Sequence, residues 1–226
     1  MKYFKLKNGE RLCYEEIGSG SNVVVMMHGW SSSKRLFRKP SSLLAKDARC
    51  IFYDHRGHKG SKKANGEHVT METLASDLRE LLLGLSLTDV TLVGWSMGAC
   101  TALNYVKMYG TDRLKNVVLC DMSPKLLNDD EWHLGLGKGT VTKESREKLN
   151  SRPFFDRYKD FVLTASHKMN NLPDFLVNLY VLKKLFVNDQ KVLESLSVSM
   201  LDQDNRDALN YINVPLYLFY ADKGEH

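Results

Sequence analysis

The chain has 226 residues, enough to bury one sizeable core, and 43% hydrophobic with 26% charged residues describes an ordinary globular protein. Its formal charge is +5. The basic residues are spread along the chain with acids close by, rather than gathered on one arm or face, which argues against nucleic acid as a partner. Four cysteines, Cys13, Cys50, Cys100 and Cys120, sit alone in apolar stretches. No CxxC pair or Cys/His cluster has zinc spacing, so they read as small buried thiols of a reducing compartment. No metal and no cofactor are expected. Behind Met1-Lys2-Tyr3 there is no apolar leader, and no run reaches bilayer-spanning length, so the reading is cytoplasmic with no membrane partner.

Residues 3–7 and 11–17 alternate apolar and polar around Asn8-Gly9, the signature of a tight hairpin. Val23-Val24-Val25-Met26-Met27 then runs unbroken to His28-Gly29, as a strand buried on both faces would. A helix is expected at about 34–46, and a second buried strand at 48–54 ends in Asp54-His55-Arg56-Gly57. Thr70 reads as an N-cap, followed at helical spacing by Leu74, Leu78, Leu81, Leu82 and Leu85. A short strand at 90–93, a helix at 97–109 and a strand at 116–120 complete a strand–helix alternation that implies parallel pairing.

The alternation stops near residue 124. From there to 203 the pattern is helical and aromatic, with Phe154, Phe155, Tyr158, Phe161, Phe175, Tyr180 and Phe186. A short helix at 204–211 and a strand at 214–220 resume the rhythm. The expected fold class is α/β, a mostly parallel sheet flanked by helices. Residues 1–124 and 204–226 form its core, and 125–203 form a helical insertion.

Gly94-Trp95-Ser96-Met97-Gly98 carries the chemistry. It follows one predicted strand and opens the next helix, the setting of a nucleophile elbow, in which a strained turn lifts the Ser hydroxyl above the sheet. Gly94 and Gly98 are required where helix and strand approach closely. The Met97 backbone N–H at the helix N-terminus is one candidate donor to a developing oxyanion. The Trp30 N–H, in the loop after the first central strand, is the other. His28 reads as an orienter of that loop rather than as a base, and Asp54 and Arg56 as loop-stabilising residues.

Taken together, His28-Gly29-Trp30, the 53–58 segment Tyr-Asp-His-Arg-Gly-His, the 94–98 pentapeptide, Asp121-Met122-Ser123-Pro124 and Val214-Pro215…Ala221-Asp222 resemble the α/β-hydrolase superfamily. They are most similar to its small bacterial esterases and cofactor-free haloperoxidases (perhydrolases), and less to its enol-lactonases. The resemblance covers about residues 10–124 and 204–226, and it makes 125–203 a cap. It implies Ser-His-Asp covalent catalysis on a small-molecule acyl substrate, with Ser96 attacking a carbonyl. Asp222, ending a strand after the cap, fits the acid. Asp121, at the end of the preceding strand, is the alternative, although its tight turn favours a structural role.

The resemblance places the catalytic His roughly 30 residues beyond the acid, whereas the chain ends at His226. His226 shares a loop with Asp222 and is not taken as the base. His55, His58, His68, His133 and His167 have no motif support. The expectation is therefore part of a longer hydrolase, with a relative that has lost its base as the alternative. The expected function is cleavage of a small ester, thioester or lactone. A noncatalytic ligand-binding protein of the same fold is the competing reading.

Overall fold

The computed structural model describes residues 1–62, 68–166 and 168–220. Seven strands form one sheet in the order β1-β2-β4-β3-β5-β6-β7: β1 Lys2–Lys5, β2 Arg11–Ile17, β3 Asn22–Met27, β4 Ala48–Tyr53, β5 Val90–Trp95, β6 Leu114–Cys120 and β7 Leu216–Phe219. The hairpin β1–β2 turns at Gly9 with φ +90°, and β2 continues antiparallel onto β4. All other pairings are parallel. The chain leaves β3 for β4 on one side, then crosses back to β5 on the other. The strand order therefore reverses between β3 and β5, and the crevice beyond the carboxyl ends of those two strands is where open α/β sheets place their ligands.

Alternation along β3 divides the core. Val25 and Met27 join Ile51, Tyr53 and Leu92 under two helices, α2 (Met71–Gly84) and α3 (Met97–Tyr109). Val24 and Met26 join Cys50, Phe52 and Phe37 on the opposite face, which α1 (Arg38–Leu44) covers. The expected helix at 34–46 is thus shorter, with a 3-10 turn at Lys34–Phe37 leading into it. Thr70 caps α2 as expected. The reciprocal partner at the third helical position is Thr73, each side chain bonding the other's backbone N–H.

Between β6 and β7 lie α4 (Lys143–Asn150), α5 (Phe154–Ala165), α6 (Asp174–Val187) and α7 (Gln190–Leu201). Pro153 and Pro173 stand just ahead of α5 and α6 with extended ψ, where a missing N–H costs nothing. Phe154, Tyr158 and Val162 of α5 pack with Val181 of α6 and Leu193 of α7 around Trp30. Val192 and Leu196 of α7 pack against Met71 and Leu74 of α2 and against Met97. A 3-10 turn, Asp207–Tyr211, leads back to β7 at the sheet edge, where Leu216–Phe219 are exposed along the strand. All four cysteines are unpaired, three buried and Cys120 half-buried. Among the described residues no helix is long and apolar enough to cross a membrane.

Candidate active site

Ser96 stands at the switch point, between the end of β5 and the first turn of α3. Its backbone is held at φ 53° and ψ −120°, an unfavourable conformation for a residue with a side chain. The surroundings over-determine it: the Ser96 N–H donates to Cys120 O at 2.9 Å, while Ser96 O accepts from Ala99 N–H at 2.8 Å. The two elbow glycines are needed for contact reasons. A methyl group at Gly94 would lie 2.4 Å from Gly98 O, and one at Gly98 would lie 2.2 Å from Met27 O on β3. Helix α3 can therefore sit on the sheet only where both positions lack a side chain. The half-buried Ser96 makes no side-chain bond to the first turn of α3.

The loop after β3 closes the other side of this turn. A methyl group at Gly29 would come within 3.1 Å of Ser96 Cβ and 3.0 Å of the Trp95 ring, so the 28–30 backbone lies directly against the serine. Among the described residues, neither the Trp30 N–H nor the Met97 N–H has an acceptor. Both candidate donors thus flank Ser96 with their bonding capacity unspent.

Histidines hold the loop from beneath. His28 Nε2 accepts the His55 backbone N–H at 3.1 Å, so its proton sits on Nδ1, which donates to Gly29 O at 2.8 Å. His58 repeats the device: Nε2 accepts the Ser31 N–H at 3.0 Å, and Nδ1 donates to Arg56 O at 3.0 Å. Their rings and that of His55 pack edge-on, with His28 4.7 Å from His55 and 5.0 Å from His58. Burial pushes His28 down to about 4 and His58 down to about 3, and it depresses His55 as well. All three are neutral at physiological pH; the ring nitrogens of His28 and His58 are bonded into the scaffold, whereas neither ring nitrogen of His55 has a hydrogen-bond partner among the described residues. No group of three or more His, Cys, Asp or Glu among the described residues is placed to hold a metal ion.

Asp54 is loop-stabilising, as its place in the sequence suggested. Its carboxylate accepts the Lys34 backbone N–H at 2.8 Å, the Lys34 ammonium at 2.7 Å and the Gly60 N–H at 3.1 Å, tying the loop after β3 to the loop after β4. Arg56 pairs with Asp77 of α2 through two bonds, at 2.6 and 3.0 Å, both side chains being buried. The helical segment supplies the remaining ties. The Trp30 indole N–H donates to Leu193 O at 2.9 Å, the Ser31 hydroxyl meets the Tyr158 hydroxyl, and the Lys184 ammonium reaches Ser31 O at 3.4 Å. Sequence patterning alone does not mark Ser31 or Tyr158 as supports of the site, nor His58 as the acceptor of the Ser31 N–H. The only local signal was a histidine three residues after another at a strand end.

Asp121 ends β6 with φ 56°, and its N–H donates to Phe219 O at 2.8 Å. Asp222 and His226 lie outside the described residues, as does His167. His68 and His133 are exposed. The structure thus brings together Ser96, Met97 and Trp30.

Comparison with known proteins agrees with this geometry. The profile described as "alpha/beta hydrolase fold" matches residues 22–225. Non-heme chloroperoxidase CPO-A1 of Kitasatospora aureofaciens is 34% identical over 150 residues, 62% of this chain and 54% of that protein. Non-heme haloperoxidase of Rhodococcus erythropolis is 30% identical, covering 69% of this chain and 60% of its own length. The chain therefore spans about half the length of the first curated relatives it matches. Among solved structures, bromoperoxidase from Bacillus anthracis superposes with TM-score 0.78 at 28% identity, over 94% of this chain and 77% of the other. The esterase EaEST from Exiguobacterium antarcticum gives 0.76 at 27%, over 96% and 79%. The chain belongs to the α/β-hydrolase fold family, close to its bacterial esterases and haloperoxidases.

Proposed function

We propose that the protein is a serine hydrolase cleaving a small carboxylic ester, thioester or lactone through an acyl-enzyme on Ser96. The observation that carries this reading is the strained Ser96, flanked by two uncommitted backbone N–H groups at the switch point of the sheet. In this reading the Ser96 Oγ attacks the acyl carbonyl. Its oxygen gathers negative charge and is met by the Met97 and Trp30 N–H groups, whose bonding capacity is otherwise unspent. Asp222 is the acid that orients the base. The base itself is not one of His28, His55 or His58, because all three are fully buried and the ring nitrogens of His28 and His58 are spent on the scaffold. The segment 125–203 serves as the cap, with Trp30, Phe154, Tyr158 and Phe161 forming an aromatic wall beside the oxyanion loop. Perhydrolysis is a side activity of the same machinery, and the unpaired cysteines fit a reducing, cytoplasmic setting.

The commitment of the buried histidines also favours a second reading, a noncatalytic ligand-binding member of the fold. Fluorophosphonate labelling combined with turnover of p-nitrophenyl butyrate separates the two. In a form that carries the base beyond Asp222, the hydrolase reading expects both signals and their loss in Ser96→Ala, while the 226 residues alone should turn the ester over negligibly. A well-folded longer form that shows neither supports the second.

A further inference from the structure

Helix α6 is apolar on two opposite faces. Val177 and Val181 are buried among the neighbouring helices. Directly opposite, Phe175, Leu179, Leu182 and Phe186 follow one another at intervals of four, three and four residues, one side chain per turn. They are 68, 61, 55 and 78% exposed. Single exposed leucines are ordinary, but a continuous line of four large apolar side chains marks a surface that another phase or molecule covers. A helix apolar all round is normally buried on all sides.

Cations rim this line. Lys183 lies on the flank of this line, and the Lys62 ammonium sits 5.1 Å over the Phe186 ring while donating to Phe186 O at 2.5 Å, whereas Lys184 lies on the face of Val177 and Val181 and reaches Ser31 O. Lys59 is close enough to Lys184, Arg35 and Lys183 for their charges to add to the burial that lowers its pKa. Among the described residues none of Lys59, Lys62, Lys183 and Lys184 forms an ion pair with a carboxylate. The one acid in the first turn, Asp174, is occupied by Lys159 and Asn178.

We propose that α6 is a peripheral docking surface for an anionic lipid bilayer, lying flat with Phe175, Leu179, Leu182 and Phe186 in the interface and the lysines at the headgroups. Phe and Leu on one face with Lys on the flanks is the pattern of helices that lie in the headgroup–acyl boundary. Each lysine near an anionic surface adds electrostatic attraction. A second copy of the chain is the poorer occupant. Four side chains offer roughly half of the ~800 Å² per partner that a stable dimer buries, and pairing would bring like-charged rims together. The proposal rests on α6 and the lysines that rim it, and is independent of the chemistry at Ser96. It departs from the sequence-based expectation of no membrane partner.

The test is co-sedimentation of the purified protein with vesicles of phosphatidylcholine alone and of phosphatidylcholine mixed with phosphatidylglycerol. Binding is expected on the mixed vesicles and weakened by added salt. The exposed-site variant Leu179→Ser/Phe186→Ser, checked for native circular dichroism, should lose roughly tenfold or more in affinity. Lys183→Glu should weaken binding to the anionic vesicles, and Tyr217→Ser on the exposed β7 should leave it unchanged. Failure to bind, equal binding to both vesicle types, or loss of binding only in Tyr217→Ser would overturn the proposal. So would light scattering that shows a dimer broken by the α6 variant, which would make a second copy the occupant.

Discussion

His28 Nε2 accepts the backbone N–H of His55 at 3.1 Å, and this bond settles what His28 does. A histidine adjacent to an oxyanion loop is the obvious base for Ser96. With Nε2 already an acceptor, Nδ1 donating to Gly29 O and the ring fully buried, it has no lone pair to offer and a poor appetite for a proton. His28→Gln, which keeps an amide acceptor near Nε2, should retain a large part of any Ser96-dependent activity. His28→Ala should lose stability by about 1–3 kcal/mol, because the His55 N–H is left buried and unpaired. Urea midpoints and labelling rates on the two variants check this.

The buried histidines also set an acid limit. Their folded pKa values lie below the unfolded value of 6.5, so the stability tied to the neutral rings is fully present above pH 6.5. It is lost as pH falls toward about 4 for His28 and about 3 for His58. By pH 5 each ring should cost about 2 kcal/mol of folding stability. Asp77 acts in the opposite sense: burial raises its carboxyl to about 6 against the pull of Arg56, so protonation below that pH returns about 1 kcal/mol. His28, His58 and Asp77 together give a net loss on the order of 3 kcal/mol between pH 7.5 and 5, to which His55, also depressed by burial, adds; denaturant titrations read the total. A flat profile would mean that the rings are charged or solvated.

Gly98→Ala should be among the most damaging single-methyl additions in the chain. The new carbon would sit 2.2 Å from Met27 O, which is backbone in the central strand and cannot swing away. A cost of about 3 kcal/mol or more is expected, together with loss of Ser96 labelling as α3 lifts from the sheet. Thermal unfolding and fluorophosphonate labelling read the two effects separately.

Arg56→Met should cost about 3–5 kcal/mol, since the Asp77 carboxylate would remain buried without the guanidinium that bonds it twice. Arg56→Met with Asp77→Leu should recover much of that loss. A double variant as unstable as the single would show that Arg56 is held by more than this pairing.

For the acid, Asp222→Asn should depress kcat far more than Asp121→Asn, because only the carboxylate paired with the base holds its productive tautomer. Steady-state kinetics of an active form decide it. The reverse ranking moves the acid to the end of β6.

The elbow was legible because its constraints are local. A strand, a G-x-S-x-G turn and a helix stand in sequence, and each glycine answers to a contact a few residues or one strand away. The strands were equally plain, since buried parallel strands read as apolar runs, although β6 starts two residues earlier, at Leu114. What could not be read were pairings across long separations: Ser31 with Tyr158, Trp30 with Leu193, His58 with the Ser31 N–H. No periodicity encodes those. The aromatic residues of 154–186 were also ambiguous, because an apolar residue at helical spacing looks the same whether it faces inward or out. Phe154 and Tyr158 went to the core, while Phe175 and Phe186 did not.

The tie from the Trp30 indole to Leu193 O has a consequence for modularity. A helical segment inserted between two strands would ordinarily be exchangeable with that of a relative, altering which molecule is admitted without touching the reaction. Here the residue offering its amide at Ser96 is anchored through its own side chain to the inserted segment, and the next residue is bonded to Tyr158 in the same segment. In the proposed hydrolase selectivity and rate are therefore mechanically linked, so a graft of 125–203 that ignores residues 30 and 31 would displace the proposed oxyanion donor as well as the proposed cap. Evolution along this lineage would be expected to change the two regions together.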